Sequence, residues 1–388
     1  MKRIIIVGAG ASGVYLSILL KKNINDICVT VLEQNQTSLK KLLATGNGRC
    51  NLSNKNISIQ SYFSDRLDIV EPIIHDFSMP LQMNEIGLYT LYHNHLLYPK
   101  SEQASSVKDV FMNEAKRYGV QFLYEQQVYQ IEKKDTYHIY TNQDIFQADF
   151  VILAMGSEAG KLSGIYPQRY DILKKLQLKV LPSRPSLVQM NTKPALKELK
   201  GVRIKGTFRL LKGKECVHQE KGELLFTDYG VSGIAVMQLS AYMEPDTQYK
   251  LSIDFFDELD EKQLREYIEL RQRKGYNHFY DGLLNHKLSV YFEKKNVHDV
   301  QKMIMLLKRF ELEITGLRSY ETAQVMKGGL SLEEVNDLLE IKKYPHMYAM
   351  GEILNVDGLC GGYNLHFALS SAYRVFQAIE RELYVKNK

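Results

Sequence analysis

Apolar positions in this chain alternate between strand-like runs and helical spacing. Ile4-Ile5-Ile6-Val7 is a continuous β-branched run, the pattern of a strand buried on both faces. Val14, Leu16, Leu19 and Leu20 follow at helical spacing, closed by Lys21-Lys22, and residues 27–32 read as a second buried strand. Residues 62–120 read as helical segments with a turn region around Pro80 and Gly87. The last of these helices runs through Val107, Val110, Phe111 and Ala115, with Ser101 as its N-cap. Val120-Phe122-Tyr124, residues 128–131 and residues 137–140 alternate as antiparallel strands beside a main sheet should. Residues 150–153 form another buried run, ending in Ala154-Met155-Gly156.

Pro182, Pro185 and Pro194 then mark a change of character. Short strand-like runs at 187–190, 202–204, 207–211, 223–226 and 249–253 predict a small β domain over 185–255. Charge-rich helical patterns at 261–273, 280–291 and 297–310 predict a helical insertion over 256–317. Strand character resumes at 323–326, followed by a short helix at 332–339, a core strand at 347–352 and a terminal helix at 365–383. The expected class is α/β: a nucleotide-binding domain made of residues 1–184 and 318–388, split by the β domain and the helices.

Composition changes this picture little. The 388 residues carry a net charge of +5, and the charges are interspersed, so the charge by itself does not argue for nucleic acid and a solvated surface is the simpler reading. Met1-Lys2-Arg3 before an apolar run imitates a signal peptide. Three glycines at fixed spacing and the closing lysines point instead to a cytoplasmic protein. No run reaches the ~18 apolar residues of a membrane helix. The 4 cysteines, Cys28, Cys50, Cys216 and Cys360, form no C-x-x-C, and no His/Cys spacing suggests a metal site.

The chemistry concentrates in the glycines. Gly8-Ala9-Gly10-Ala11-Ser12-Gly13 joins the first strand to the first helix as G-x-G-x-x-G, whose helix N-terminus receives a diphosphate. Glu33 ends the second strand about 20 residues later, where an acid binds a ribose hydroxyl. Gly46-Asn47-Gly48, followed by Arg49-Cys50-Asn51, exposes several backbone N–H groups beside a guanidinium. This fingerprint alone leaves FAD and NAD(P) open as ligands.

Several segments together resemble the BaiN/YhiN-type flavoproteins, also called aminoacetone-oxidase-like FAD-binding enzymes, of the glutathione-reductase structural class. They are Gly8 to Gly13, Lys41-Leu42-Leu43 with Thr45 to Asn51, Tyr98-Pro99 with Ser101 and Gln103-Ala104, residues 224–233, and Gly351-Glu352 through Ser371. The resemblance implies FAD as resident cofactor and a Rossmann-like FAD-binding domain split by a β-barrel-like domain and a helical cap. It adds Val128, Ala154, Gly156, Gly351, Glu352, Asp357, Gly361, Gly362, Tyr363 and Asn364 to the cofactor-binding positions. Gly361 and Gly362 are expected to let the backbone pass close to the flavin, with the positive end of the final helix near its pyrimidine edge. Asn47 stands where many members have a third glycine, Leu96 where many have arginine, and Leu359-Cys360 where Pro-Thr is common. Phe367 and Leu369 replace tryptophans.

The function expected from these features is an FAD-dependent oxidoreductase. It would move hydride between NAD(P)H, visiting transiently, and an organic acceptor such as a conjugated C=C bond. Alternatives within the resemblance are a flavin amine oxidase using oxygen and an enzyme that reduces uracil in RNA; a flavin-binding regulator without turnover is a further class. The basic residues of the helical insertion, among them Arg271, Arg273, Lys274, Lys287, Lys308 and Arg309, could meet RNA phosphates. Interleaved acids make a solvated surface the simpler reading. No catalytic side chain is assigned: Tyr98 and Tyr363 are proton-donor candidates by location alone, and His366 reads as a satisfied core histidine.

Overall fold

In a computed structural model, which describes residues 1–160 and 169–385, the chain divides into two compact units, 1–184 with 325–388, and 185–324. The first unit is built on a five-stranded parallel sheet in the spatial order 347–349, 150–153, 2–7, 27–32, 121–123. The strand Lys2–Val7 therefore has the second strand on one side and Phe150–Leu153 on the other. Strand order reverses at that point, and ligands of open α/β sheets bind at the carboxyl ends of strands there.

The helix Ala11–Asn23 packs against the helices Ala104–Arg117 and Tyr363–Val385. Residues 12–20 of this first helix are all buried, so it is apolar around most of its circumference rather than along one stripe. Tyr15 is fully buried within it, stacked on Phe111, with its hydroxyl donating to Gln82 Oε1 at 2.8 Å. Burial holds the Tyr15 phenol well above its ordinary pKa.

The second unit is a closed six-stranded barrel of residues 190–193, 230–232, 215–226, 203–212, 249–254 and 310–317. Phe208, Phe226, Leu251 and Ile253 fill it, and Leu264, Ile268, Phe292 and Ile304 of the adjoining helices share the same core. Among the described residues no helix is long and apolar enough to cross a membrane.

Several local expectations are corrected. Residues 121–123 join the main sheet in parallel with the second strand; they are not antiparallel beside it. The helix before them supplies the crossover that a parallel partner needs. Within 62–120, residues 90–93 and 96–99 form a hairpin, turned at Asn94 with φ 56°, and residues 53–54 add a third strand. Pro80 lies in the first turn of the helix Met79–Glu85, where its missing N–H costs nothing. Gln103, not Ser101, is the N-cap of the helix at 104–117.

The expected helix at 280–291 begins only at His286, where the Asn285 side chain accepts from Lys287 N–H. The end of the charge-rich region, Phe310–Leu317, is a barrel strand, because its alternating apolar residues pair with 249–253. The helix expected at 332–339 is a single 3-10 turn, 332–334; Leu339 has φ 63°, outside helical space.

The barrel core makes a direct prediction. Phe208 is fully buried, so Phe208→Ala should lower unfolding free energy in urea by about 3–5 kcal/mol. A loss below about 1 kcal/mol would mean that the barrel interior is not packed as described.

Candidate functional site

The glycine turn is shaped by backbone contact. A Cβ on Gly8, which has φ 111°, would lie 2.4 Å from the Ala154 carbonyl oxygen. One on Gly13 would lie 2.0 Å from the Gly8 carbonyl oxygen. Gly10 differs: among the described residues other than its chain neighbours, no atom lies within 4 Å of the place its Cβ would take. Gly10 is also the N-cap of the first helix and offers no side-chain cap to its N–H groups. An uncapped helix N-terminus beside open space, at the sheet's switch point, fits a diphosphate. The chain's own backbone thus suits the diphosphate of the FAD that the family resemblance implies.

Glu33 is buried at the end of its strand. One carboxylate oxygen accepts from Ala9 N–H at 2.8 Å, and the other from Asn35 N–H at 2.9 Å and Asn35 Nδ2 at 2.6 Å. The acid expected to meet a ribose thus also ties the second strand to the glycine turn. Val128 lies next to this end of the sheet in sequence, since Gln126 N–H donates to Glu33 O.

Glu352 joins three segments. Its Oε2 takes the Lys41 ammonium and its Oε1 accepts from the Ser157 hydroxyl at 2.7 Å. Gly351, at φ 70°, brings this turn against the first helix: its Cβ would lie 2.8 Å from Ser12 Oγ. Gly156, at φ 68°, carries the chain from its strand into Ser157. The structure therefore assembles Gly8–Gly13, Gly156, Lys41 and Gly351–Glu352 at the carboxyl ends of the strands.

The loop after Lys41 runs through positive φ at Gly46, Asn47, Gly48 and Cys50. Asn47 adopts the conformation that the glycine common at this place would reach more easily. Arg49 turns toward the helix at 104–117: its Nη1 donates to Glu102 at 3.1 Å, and its guanidinium lies 4.8 Å from the Tyr98 ring centre. His93 meets the other Glu102 oxygen at 2.9 Å. Cys50 is fully buried, and burial pushes its thiol up to about 11, which removes its reactive thiolate.

Asn51 reaches the terminal motif. Its amide, oriented to suit its neighbours, donates to Ser53 O at 2.8 Å and Leu97 O at 3.2 Å, and accepts from Gly362 N–H at 3.1 Å. A Cβ on Gly362 would lie 2.6 Å from the Ser53 carbonyl. The steric demand on Gly362 thus comes from the chain's own 53–54 strand, which the expectation of flavin contact did not include. Asn54 Nδ2 donates to Gly361 O at 3.0 Å. Asn364 closes the turn by accepting from Gly358 N–H at 2.8 Å and donating to Gly358 O at 2.6 Å. Tyr363 presents its carbonyl to the Tyr62 hydroxyl at 2.9 Å. Asp357 is buried and paired with Lys327 at 3.2 Å. Lys327 was not among the expected site residues; its only signal in the sequence is a lysine inside an otherwise apolar strand.

His366 is a satisfied core histidine. Its Nδ1 bonds Ser53 Oγ at 2.8 Å, its Nε2 lies 3.0 Å from Ile74 O, and burial lowers its pKa to about 4. In the helical layer, Arg271 is buried and donates to the Phe279 and Asp281 carbonyls. Lys308 caps the Phe256 and Leu259 carbonyls, and Arg309 pairs with Glu261. Three of the basic residues considered for RNA are therefore engaged within the protein.

The profile of the HI0933-like protein Rossmann domain matches residues 2–378. A 3-dehydro-bile acid delta(4,6)-reductase from Clostridium scindens is 30% identical over 96% of this chain and 98% of its own. A ribosomal RNA dihydrouridine synthase from Haemophilus influenzae is 28% identical over 97% of this chain and 98% of its own. Among solved structures, the E. coli quinol fumarate reductase subunit FrdA superposes with TM-score 0.52 at 15% identity, covering 98% of this chain and 71% of that one. That last likeness concerns the fold.

His366 generates a pH prediction. Its folded pKa lies below the ordinary 6.5, so the unfolded chain binds the extra proton first as pH falls. Stability should therefore fall as pH drops from about 6.5 to about 4, by on the order of 3 kcal/mol. In His366→Asn, unfolding free energy measured across that window should show a flatter pH slope than wild type. Equal slopes would mean that the imidazole binds its proton as readily in the folded protein as in the unfolded chain.

Proposed function

This chain belongs to the HI0933-like Rossmann-domain family of FAD-dependent oxidoreductases, and we propose that it reduces a conjugated C=C bond with hydride drawn from NAD(P)H. The observation that carries the reading is the end-to-end similarity to a reductase whose name specifies such an unsaturated substrate. FAD, when bound, supplies the two-electron chemistry; the chain supplies binding, orientation and charge.

In this reading the open N-terminal turn at Gly10, Ala11, Ser12 and Gly13 receives the diphosphate, backed by Gly8 against Ala154. Glu33, already oriented by Ala9 and Asn35, has one lone pair of Oε2 left for the adenosine ribose. Glu352 is held by Lys41 and Ser157 at the neighbouring turn. Gly46 to Asn51, Val128, Gly156, Gly351 and Gly361 to Asn364 with Asp357 complete the cofactor contacts. The sequence carries a single G-x-G-x-x-G, which suits a nicotinamide donor that visits rather than resides.

A uracil ring in RNA is the second acceptor, on the strength of the full-length similarity to the dihydrouridine synthase. The internal engagement of Arg271, Lys308 and Arg309 leaves this reading with the smaller support.

The purified protein should release FAD on denaturation and absorb near ~450 nm when folded. Under anaerobic conditions NADH or NADPH should bleach that band, and an α,β-unsaturated ketone should restore it. Bleaching by primary amines with no response to either nicotinamide would overturn the reductase reading in favour of an amine oxidase. Reoxidation by a uracil-containing RNA and by no enone would favour the second acceptor.

A further inference from the structure

A cavity of about 220 Å³ lies among the helices of the second unit, lined from residues 271–280, 292–298 and 303. Its size limits a guest to a small molecule. Two side chains of full charge line it. Arg271 stands near the end of the helix Glu261–Lys274, and Glu293 ends the helix His286–Glu293. Arg271 is 8% exposed, and Glu293 is half-buried. Neither forms an ion pair among the described residues.

One peptide unit anchors both groups. The Phe279 carbonyl accepts from Arg271 Nε at 3.1 Å and from Nη2 at 2.8 Å, and the Tyr280 N–H donates to Glu293 Oε1 at 3.1 Å. The C=O and N–H of a trans peptide point in opposite directions. Cation and carboxylate are therefore held on opposite sides of this unit and do not neutralise each other. Arg271 Nη2 also donates to the Asp281 carbonyl at 2.8 Å. Its Nη1 donates to nothing among the described residues and is not sealed from solvent. Glu293 Oε2 likewise accepts nothing among them. Each group thus holds the loop with one part and keeps bonding capacity in another.

The remaining wall is aromatic and apolar. The guanidinium carbon lies 4.2 Å from the Tyr276 ring centre and 5.6 Å from that of Phe279, and Val297 adds an aliphatic surface. A buried guanidinium held only by carbonyl dipoles lacks the counter-charge that such a group ordinarily has. A simple anion would supply it but would also meet the Glu293 carboxylate. A simple cation would suit Glu293 and meet Arg271. A molecule carrying both charges on a short link satisfies the two together.

We propose that this cavity binds a free α-amino acid with an aromatic side chain: its carboxylate on Arg271 Nη1, its ammonium on Glu293 Oε2, and its ring against Tyr276 and Phe279. Such a site is independent of the FAD reading above, because every residue in it belongs to the second unit.

The test titrates three probes into the full chain by calorimetry: L-phenylalanine, 3-phenylpropanoate, which lacks the ammonium, and phenethylamine, which lacks the carboxylate. Wild type should bind L-phenylalanine about tenfold or more tightly than either truncated probe. Glu293→Gln keeps an acceptor for the Tyr280 N–H and removes the charge. It should bind L-phenylalanine no better than 3-phenylpropanoate, with thermal unfolding reporting that it is folded. Equal affinity of wild type for all three probes, or no binding of L-phenylalanine at millimolar concentration, would overturn the proposal. So would a folded Glu293→Gln that keeps the wild-type preference, since the amino acid would then sit elsewhere. Uridine bound more tightly than L-phenylalanine would overturn it in favour of a base-binding pocket. If Glu293→Gln does not fold, Tyr276→Ala, at an exposed ring, decides: it should weaken L-phenylalanine binding several-fold, and unchanged affinity would overturn the proposal.

Discussion

At Gly13 there is room for a hydrogen and for nothing larger. Its Cβ position lies 2.0 Å from the Gly8 carbonyl oxygen, and Gly8 in turn sits 2.4 Å from the Ala154 oxygen on the same test. These contacts press the first helix onto the end of the first strand and that turn onto the neighbouring strand, 150–153. Everything else at the site depends on this closeness. It puts an uncapped helix N-terminus at the reversal point of the sheet and lets Ala9 N–H reach Glu33. It also brings Ser12 against the Gly351 turn. Gly10, between the two crowded glycines, is open, so the turn is tight where protein meets protein and free where a ligand would approach.

Around this turn the charged groups are paired before any ligand arrives. Glu352 is held by Lys41 and Ser157, Asp357 by Lys327, and Arg49 by Glu102. His366 is buried and neutral at ordinary pH, and the Cys50 thiol is pushed up by burial. The described protein groups thus offer orientation and electrostatics rather than an acid–base or nucleophilic array, which is the division of labour expected when a cofactor carries the chemistry.

The sequence made the buried strands of the sheet, a small β domain and the glycine turn legible because each is written in local pattern: β-branched runs, short strand-like runs between turns, and glycines at fixed spacing; that the β domain is barrel-like came from the family resemblance. It concealed contacts between residues far apart. The hairpin at 90–99 lacks a glycine turn, since Asn94 takes the positive φ. The 53–54 strand, too short for any periodicity, crowds Gly362 and supplies Ser53 to His366. Residues 310–317 were hidden by the charges on their outward face, although Phe310, Leu312 and Ile314 point inward as barrel residues should. Family resemblance pointed to Gly362 and Asp357, while the physical partners of each, Ser53 and Lys327, became visible only in three dimensions.

In the proposed function the open N-terminus at Gly10 is the diphosphate seat. Gly10 has φ −75° and ψ −173°, which any residue can adopt, and among the described residues beyond its chain neighbours its Cβ would meet no atom within 4 Å. Aspartate is a favourable N-cap, so Gly10→Asp should leave thermal stability of the apoprotein unchanged or raised. Its carboxylate would occupy the helix N-terminus and oppose a diphosphate there. The decisive measurement is the FAD dissociation constant of this variant beside its apoprotein melting temperature. A stable variant that has lost FAD binding is the predicted result; a stable variant with wild-type FAD affinity would contradict the account.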